Sequence, residues 1–339
     1  MAEARHGKAG EIVFRDVTKR YPGRDKPAVE GLSFEVSAGD ICVLIGPSGC
    51  GKTTALKMVN RLIPMSGGDI TIDGRSINDH ELTELRRGIG YVFQEIGLFP
   101  HMTVEGNIGS VPRLLGWSKT RIRERARELL ALVGLDPDED LRRYPGELSG
   151  GQQQRVGVAR AMAVDPPIML MDEPFGAIDP ITRDRLQNDF LRLHRQVRKT
   201  IIFVTHDIDE AIKMGDRIAI MREGHLIQWG SSDELLASPA DDFVASFVGA
   251  DRGLKRLGVW RLSDIELEPS GGRAGAPTAR LDSSLRDVLS LMLTEGVGQV
   301  DVMGEDGAPV GSVRLETITQ LVGPGGGAPG GPHGEVAQV

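Results

Sequence analysis

Two stretches of this chain carry residue types that bind phosphate. Gly46-Pro47-Ser48-Gly49-Cys50-Gly51-Lys52-Thr53 fits the pattern G-x-x-x-x-G-K-[ST], which acts when a strand precedes it and a helix follows. Its glycines let backbone N–H groups close round phosphate oxygens, Lys52 reaches the terminal ones, and the Thr53 hydroxyl is placed to hold Mg²⁺. Leu148-Ser149-Gly150-Gly151-Gln152 offers a second anion-binding turn at a helix start, but without a lysine. One chain thus holds a complete phosphate cradle and an incomplete one.

The run IMLMDEP supplies Asp172, suited to organise a metal's ligand shell, and Glu173, suited to polarise an attacking water. Adjacent carboxylates at a strand end are more commonly a solvated turn. The apolar run before them and the phosphate loop upstream favour chemistry here. Gln94 in YVFQ and His206 in VTHD can complete the site by touching metal, water or a terminal phosphate. Cys50 reads as a small packing residue of the loop, and the helix-start N–H groups beside it are expected to lower its thiol pKa and expose it to alkylation.

The elements that must position these groups follow from periodicity. EIVFRDV, GLSFEV and ICVLI read as strands separated by turn chemistry at YPGRDKP and SAGD. A helix should start at Lys52 and run to Ile63-Pro64, followed by a short strand, ITIDG. RIRERARELLALVGL places Ile122, Ala126, Leu129, Leu130 and Val133 on one helix face and arginines on the other. IMLMDEP and TIIFVTHD are almost wholly apolar and end in polar residues, the pattern of strands buried on both faces with chemistry at their carboxyl ends.

The bulk numbers narrow the function classes. A chain of 339 residues suggests two domains, one large and one small. With 40 Lys+Arg against 48 Asp+Glu, the net charge of −8 argues against a general electrostatic grip on nucleic acid or anionic membrane. Cys42 and Cys50 match neither a disulfide framework nor a zinc spacing, which fits a reducing cytosol. No stretch approaches the ~20 apolar residues that span a bilayer, so any membrane role is expected to come from another chain.

Taken in order, the phosphate loop, YVFQ, LSGGQ followed by QQRVGVARA, LMDEP, the IDP segment and VTHD resemble the ATP-binding subunits of ABC transporters over about residues 11 to 250. The resemblance implies an α/β fold: a P-loop NTPase cassette with a mixed sheet core and a helical subdomain over about 95–160. It implies ATP and Mg²⁺ as cofactors. Tyr21, in KRYPG, matches the aromatic residue on which adenine stacks, and Gly46, Ser48, Gly49, Cys50, Gly51, Lys52, Thr53 and Thr54 match the phosphate-binding positions. Thr53, Gln94 and Asp172 match the Mg²⁺ positions, Glu173 the general base and His206 the γ-phosphate sensor, while Gln94 also matches the link to the membrane partner. In the family two cassettes pair head to tail. Ser149, Gly150, Gly151 and Gln152 of one chain would then meet the ATP of the other, with Asp179 at the seam. A two-fold axis completes both cradles, which accounts for the incomplete one.

KMVNRL, QEIGLFPHMTVEGNI, DEPFGAIDPITRDRLQ and DRGLKRL further resemble the ATPases of compatible-solute importers, which serve glycine betaine, carnitine, choline and proline betaine. The partners this implies are a second copy, an integral membrane permease and, indirectly, an extracytoplasmic solute-binding protein, with no nucleic acid. The place implied is the cytoplasmic face of the cell membrane. Leu98-Phe99-Pro100 reads either as a groove for a permease helix or as buried core. An importer for a polyamine or amino acid is the main alternative. A soluble ABC ATPase acting on nucleic acid is disfavoured by the acidic balance, and a purely regulatory protein by the intact Lys52, Asp172, Glu173 and His206.

Residues 251–280 read as a linker and 323–339 as a disordered Gly/Pro-rich tail. Between them, 281–322 resembles a single CBS repeat, a small α+β unit, where such importers usually carry two in tandem. The lone repeat would pair across the dimer or only pack. Its seven acidic residues against two basic ones argue against docking on anionic lipid. Glu316 stands near the place of the family's ribose-binding aspartate, which weakens a nucleotide-binding role for this unit.

Overall fold

The computed structural model describes residues 9–94, 97–176, 178–269, 277–304 and 306–322, which fall into two compact units meeting between Trp229 and Gly230. The first unit contains two sheets. Strands β1 (Ile12–Lys19), β2 (Val29–Val36), β4 (Gly67–Ile72) and β5 (Arg75–Ser76) form an antiparallel sheet in the order β2-β1-β4-β5. Strands β3 (Ile41–Ile45), β6 (Ile89–Val92), β7 (Ile168–Asp172), β8 (Thr200–Val204), β9 (Arg217–Arg222) and β10 (His225–Gly230) form the second, ordered β10-β9-β3-β8-β7-β6.

The pairings from β9 to β6 are all parallel. Every residue of β3, β7 and β8 is buried, so continuous apolar runs such as ICVLI and TIIFV have no polar face to offer water. The main core lies between the sheets. Ile12, Phe14 and Ile70 of the antiparallel sheet pack in one cluster with Leu44, Leu170 and Ile202 of the parallel one and with Leu56 and Val59 of α1 (Lys52–Val59). That helix ends earlier than the expected Ile63-Pro64 stop. Asn60 closes it by accepting from the Leu62 N–H, and Arg61 takes a left-handed φ of 53°.

After α2 (Leu82–Arg87) and β6, the chain enters the expected helical region with α3 (Val104–Ile108), α4 (Ser110–Leu114), α5 (Lys119–Leu132), α6 (Pro137–Asp140) and α7 (Gly150–Ala161). The α5 face buries Ile122, Ala126, Leu129 and Leu130, with Val133 just beyond, as its periodicity required. Helices α8 (Pro180–Val197) and α9 (Ile208–Met214) follow β7 and β8.

The second unit begins earlier than the sequence suggests. It takes in α10 (Ser232–Ala237), α11 (Asp242–Val248) and α12 (Arg252–Val259), then β11 (Thr278–Arg280), α13 (Leu285–Glu295), β12 (Gln299–Met303), β13 (Pro309–Arg314) and α14 (Leu315–Val322). The cassette boundary expected at 250 and the linker reading of 251–280 are therefore corrected. Leu257, Trp260 and Leu262 are buried in the same core as Leu285, Val300, Val313 and Ile318, so the start of the supposed linker is part of the unit. Burial of one large apolar side chain stabilises by ~1.5–3 kcal/mol, which a solvated linker would forgo. The three-stranded sheet pairs β11 parallel to β12 and β12 antiparallel to β13. The tail read as disordered, 323–339, lies outside the described residues.

Candidate active site

Strand order decides which residues meet. Because β3, β8, β7 and β6 are parallel neighbours, their carboxyl ends lie side by side. The phosphate loop leaves β3, His206 follows β8, Asp172 and Glu173 end β7, and Gln94 follows β6. Four distant segments thus converge on one edge.

The loop wraps tightly. Gly46 has a φ of 151°, and a Cβ there would lie 2.0 Å from the Met221 carbonyl oxygen, so no larger residue fits. Lys52, nearly buried, donates from Nζ to the carbonyl oxygens of Gly46 at 2.7 Å and Pro47 at 3.1 Å. The ammonium is thereby held inside the loop that phosphates would enter. A cavity of about 520 Å³ opens here, lined by Tyr21, Ser48, Gly49, Lys52, Thr53 and Glu173. Gly51, Thr54, Ala28 and Arg24 complete its wall. Arg24 was missed by sequence reasoning. Its guanidinium carbon lies 6.0 Å from the Tyr21 ring centre, and the only signal was a cation three residues beyond an aromatic in a turn.

Thr53 Oγ1 donates to Asp172 Oδ1 at 2.9 Å. Asp172 is 4 % exposed, and burial raises its pKa, partly opposed by the Thr53 hydrogen bond. A hydroxyl and a buried carboxylate oxygen in contact are the hard oxygen donors that suit Mg²⁺. The Tyr91 hydroxyl, also missed, sits 3.5 Å from Asp172 Oδ2, and burial followed by the nearby Asp172 charge pushes its pKa up. YVFQ points to Gln94, whereas Tyr91, one residue before the end of β6, pairs with Leu170 of β7 and so shares a sheet face with Asp172 two residues further on.

Glu173 stands at a left-handed φ of 45°, uncommon for a non-glycine residue, and its N–H donates to the Val204 carbonyl at 3.0 Å. Gln94 Nε2 donates to Glu173 Oε2 at 3.2 Å, and His206 Nδ1 lies 3.2 Å from the same oxygen. Gln94, Glu173 and His206 therefore form one polar cluster.

The second cradle lies elsewhere in the unit. Ser149 caps α7 reciprocally: its Oγ accepts from the Gln152 N–H at 3.3 Å, while Gln152 Oε1 accepts from the Ser149 N–H at 2.9 Å. Asp179 caps α8 by accepting from the Thr182 N–H at 3.0 Å, and that backbone hydrogen bond holds its carboxyl below the usual range. A Cβ on Gly151 would lie 3.4 Å from Thr182 Cγ2, so these two helix starts are neighbours. None of Ser149, Gly150, Gly151, Gln152 or Asp179 lines the phosphate-loop cavity. Two further expectations meet the structure here. Cys50 is 3 % exposed, and burial outweighs Lys52 and the backbone donors, so its thiol pKa is raised rather than lowered. Phe99 and Pro100 are exposed, as is Phe93, so this segment is surface and not core; buried Asn107 pins it by accepting from the Phe99 N–H at 2.7 Å.

A phosphate loop, a buried aspartate and a neighbouring glutamate on the carboxyl edge of a parallel sheet, with a helical arm inserted after β6, define an ATPase of the ABC cassette class. The family model described as "ABC transporter" matches residues 29–176. The osmoprotectant import ATP-binding protein OsmV of Salmonella typhimurium is 50 % identical over 307 residues, covering 89 % of this chain and 79 % of that protein. The choline transport ATP-binding protein OpuBA of Bacillus subtilis is 48 % identical over 309 residues, covering 91 % and 80 %. Among solved structures, the dimeric post-hydrolysis cassette MJ0796 bound to ADP and Pi matches with a TM-score of 0.58 and 33 % identity, over 65 % of this chain and 98 % of that one. The chain belongs to the ATP-binding proteins of ABC importers, and it is an ATP-binding ATPase.

Proposed function

We propose that this chain powers the import of a compatible solute, glycine betaine, carnitine, choline or proline betaine, through a separate membrane permease. The solute class rests on relatives of nearly half identity that carry osmoprotectant and choline import in their names. Among the described residues no helix is long and apolar enough to cross a membrane; relatives named as import ATP-binding proteins support a peripheral subunit at the cytoplasmic face beside a permease. An extracytoplasmic binding protein would deliver the solute.

One observation carries the mechanism: the chain's second anion-binding helix start is capped, exposed and absent from the cavity that holds Lys52. A head-to-tail pair of copies supplies Ser149, Gly150 and Gly151 to the other chain's nucleotide. Tyr21 stacks on the base, and Lys52 exchanges its loop carbonyls for terminal phosphate oxygens. Thr53 and Asp172, with Gln94, would hold Mg²⁺, which neutralises phosphate charge when bound. Glu173 takes the proton of the attacking water, with His206 and Gln94 orienting the groups around it. The exposed Phe93 and Phe99 beside Gln94 suit the permease contact. The α13–β12–β13–α14 order that closes the second unit supports the reading of 281–322 as a CBS-like repeat.

The test is ATPase in proteoliposomes holding this chain with its cognate permease and binding protein, across a solute panel. Stimulation by glycine betaine, carnitine or choline is expected. Stimulation by a polyamine or an amino acid alone would replace the solute class.

A further inference from the structure

A second cavity, of about 360 Å³, lies away from the phosphate loop, where the end of α5 and the middle of α7 face α8. Its volume falls within the ~300–1,000 Å³ range of small-molecule sites. Its composition is divided. Leu186, Phe190 and Leu193 of α8, Val158 of α7 and Phe175 form an apolar wall, with the Phe175 and Phe190 rings 6.3 Å apart edge to face.

The charged residues of the same cleft are three cations and one anion. Arg155, Arg185 and Arg192 stand against one carboxylate, Asp189. Both oxygens of that carboxylate are engaged, Oδ2 by Arg155 at 2.8 Å and Oδ1 by Arg192 at 2.9 Å. Arg185 has no ion-pair partner among the described residues, and the cleft keeps an excess of positive charge. Gln154, 3 % exposed, forms part of the wall and has a buried Nε2 with no acceptor. Buried amide donors are almost always paired, so this wall has a donor in excess as well as a charge in excess.

We propose that this cleft binds a small amphipathic anion, an apolar chain or ring ending in a carboxylate. The apolar body covers Leu186, Phe190 and Phe175, and the carboxylate, an acceptor-only group, meets Arg185 at the rim. A cation or a neutral apolar molecule would satisfy the wall but not the arginines. The site is independent of the nucleotide cavity, which shares none of its lining residues.

Decanoate, below its micellar concentration, is titrated calorimetrically into the nucleotide-free full-length chain, with decan-1-ol and decyltrimethylammonium as neutral and cationic counterparts. Decanoate is expected to bind at one per chain and the cation not at all. Arg185→Glu should weaken decanoate about tenfold or more, since hydrogen bonds to charged groups carry that magnitude, and Arg185→Lys should retain most of the affinity. Arg185 is exposed and outside the nucleotide cavity, so ATP binding and melting temperature should stay unchanged in both variants. No binding of decanoate, equal binding to Arg185→Glu, or equal binding of the cationic counterpart would each overturn the assignment.

Discussion

Thr53→Val removes one hydroxyl and keeps the side-chain shape. In the structure that hydroxyl donates to Asp172 Oδ1 at 2.9 Å, and Asp172 is 4 % exposed. The carboxylate then keeps only the Tyr91 hydroxyl, 3.5 Å from its other oxygen. Hydrogen bonds to charged groups contribute ~1.5–3 kcal/mol, and for a domain of this size each kcal/mol moves the midpoint by ~2–4 °C. The nucleotide-free chain, melted in a chelating buffer at neutral pH, should therefore lose about 3–12 °C. The pH dependence tests the cause. Burial already raises Asp172's folded pKa above its unfolded value, and the Thr53 bond opposes that rise, so deletion raises it further. Wild type and variant then differ fully where Asp172 is ionised in both, above the variant's raised pKa. The difference fades as pH falls through the wild-type pKa toward the ordinary carboxylate range, where both native states bind the proton. A destabilisation of the same size at neutral and mildly acidic pH would refute the reasoning, because it would place the loss in packing and not in the carboxylate.

Glu173→Gln should keep ATP binding, lose hydrolysis by the ~10²–10⁴-fold typical of a general base, and leave a dimer that forms only with ATP by light scattering; unchanged turnover would remove Glu173 from that role. Ser149→Ala and Lys52→Ala chains, each impaired, should regain activity on mixing, because one site of the mixed dimer is intact, and no recovery at any ratio would count against a shared site. Cys50, buried and with its pKa raised, should react with iodoacetamide far more slowly in the folded chain than in urea at the same pH, and equal rates would contradict its burial.

Much of the candidate site was legible because its residues sit at the ends of continuous apolar runs. ICVLI before the loop, IMLMD before Glu173 and TIIFV before His206 have the length and apolar composition of buried strands, and buried parallel strands present chemistry at their carboxyl ends. Arg24 and Tyr91 were not legible, since a turn arginine and a strand tyrosine have no spacing that marks them; they matter only through what the β6–β7 register and the turn after β1 bring near. The Cys50 expectation failed for a related reason. Local N–H groups are visible in sequence, whereas burial is a property of the surrounding fold, and here burial dominates.

Sequence by itself determined the cassette class, the loop, the two acidic residues and the presence of two anion-binding helix starts, because each is a local pattern of residue type and spacing. Only the tertiary structure decided that Gln94 and His206 share one oxygen of Glu173, and that Ser149 stands apart from the cavity of its own chain. It also decided that Trp260 and Leu262 belong to a core and not to a linker. These are facts about strand order and burial, and both depend on contacts between residues far apart along the chain.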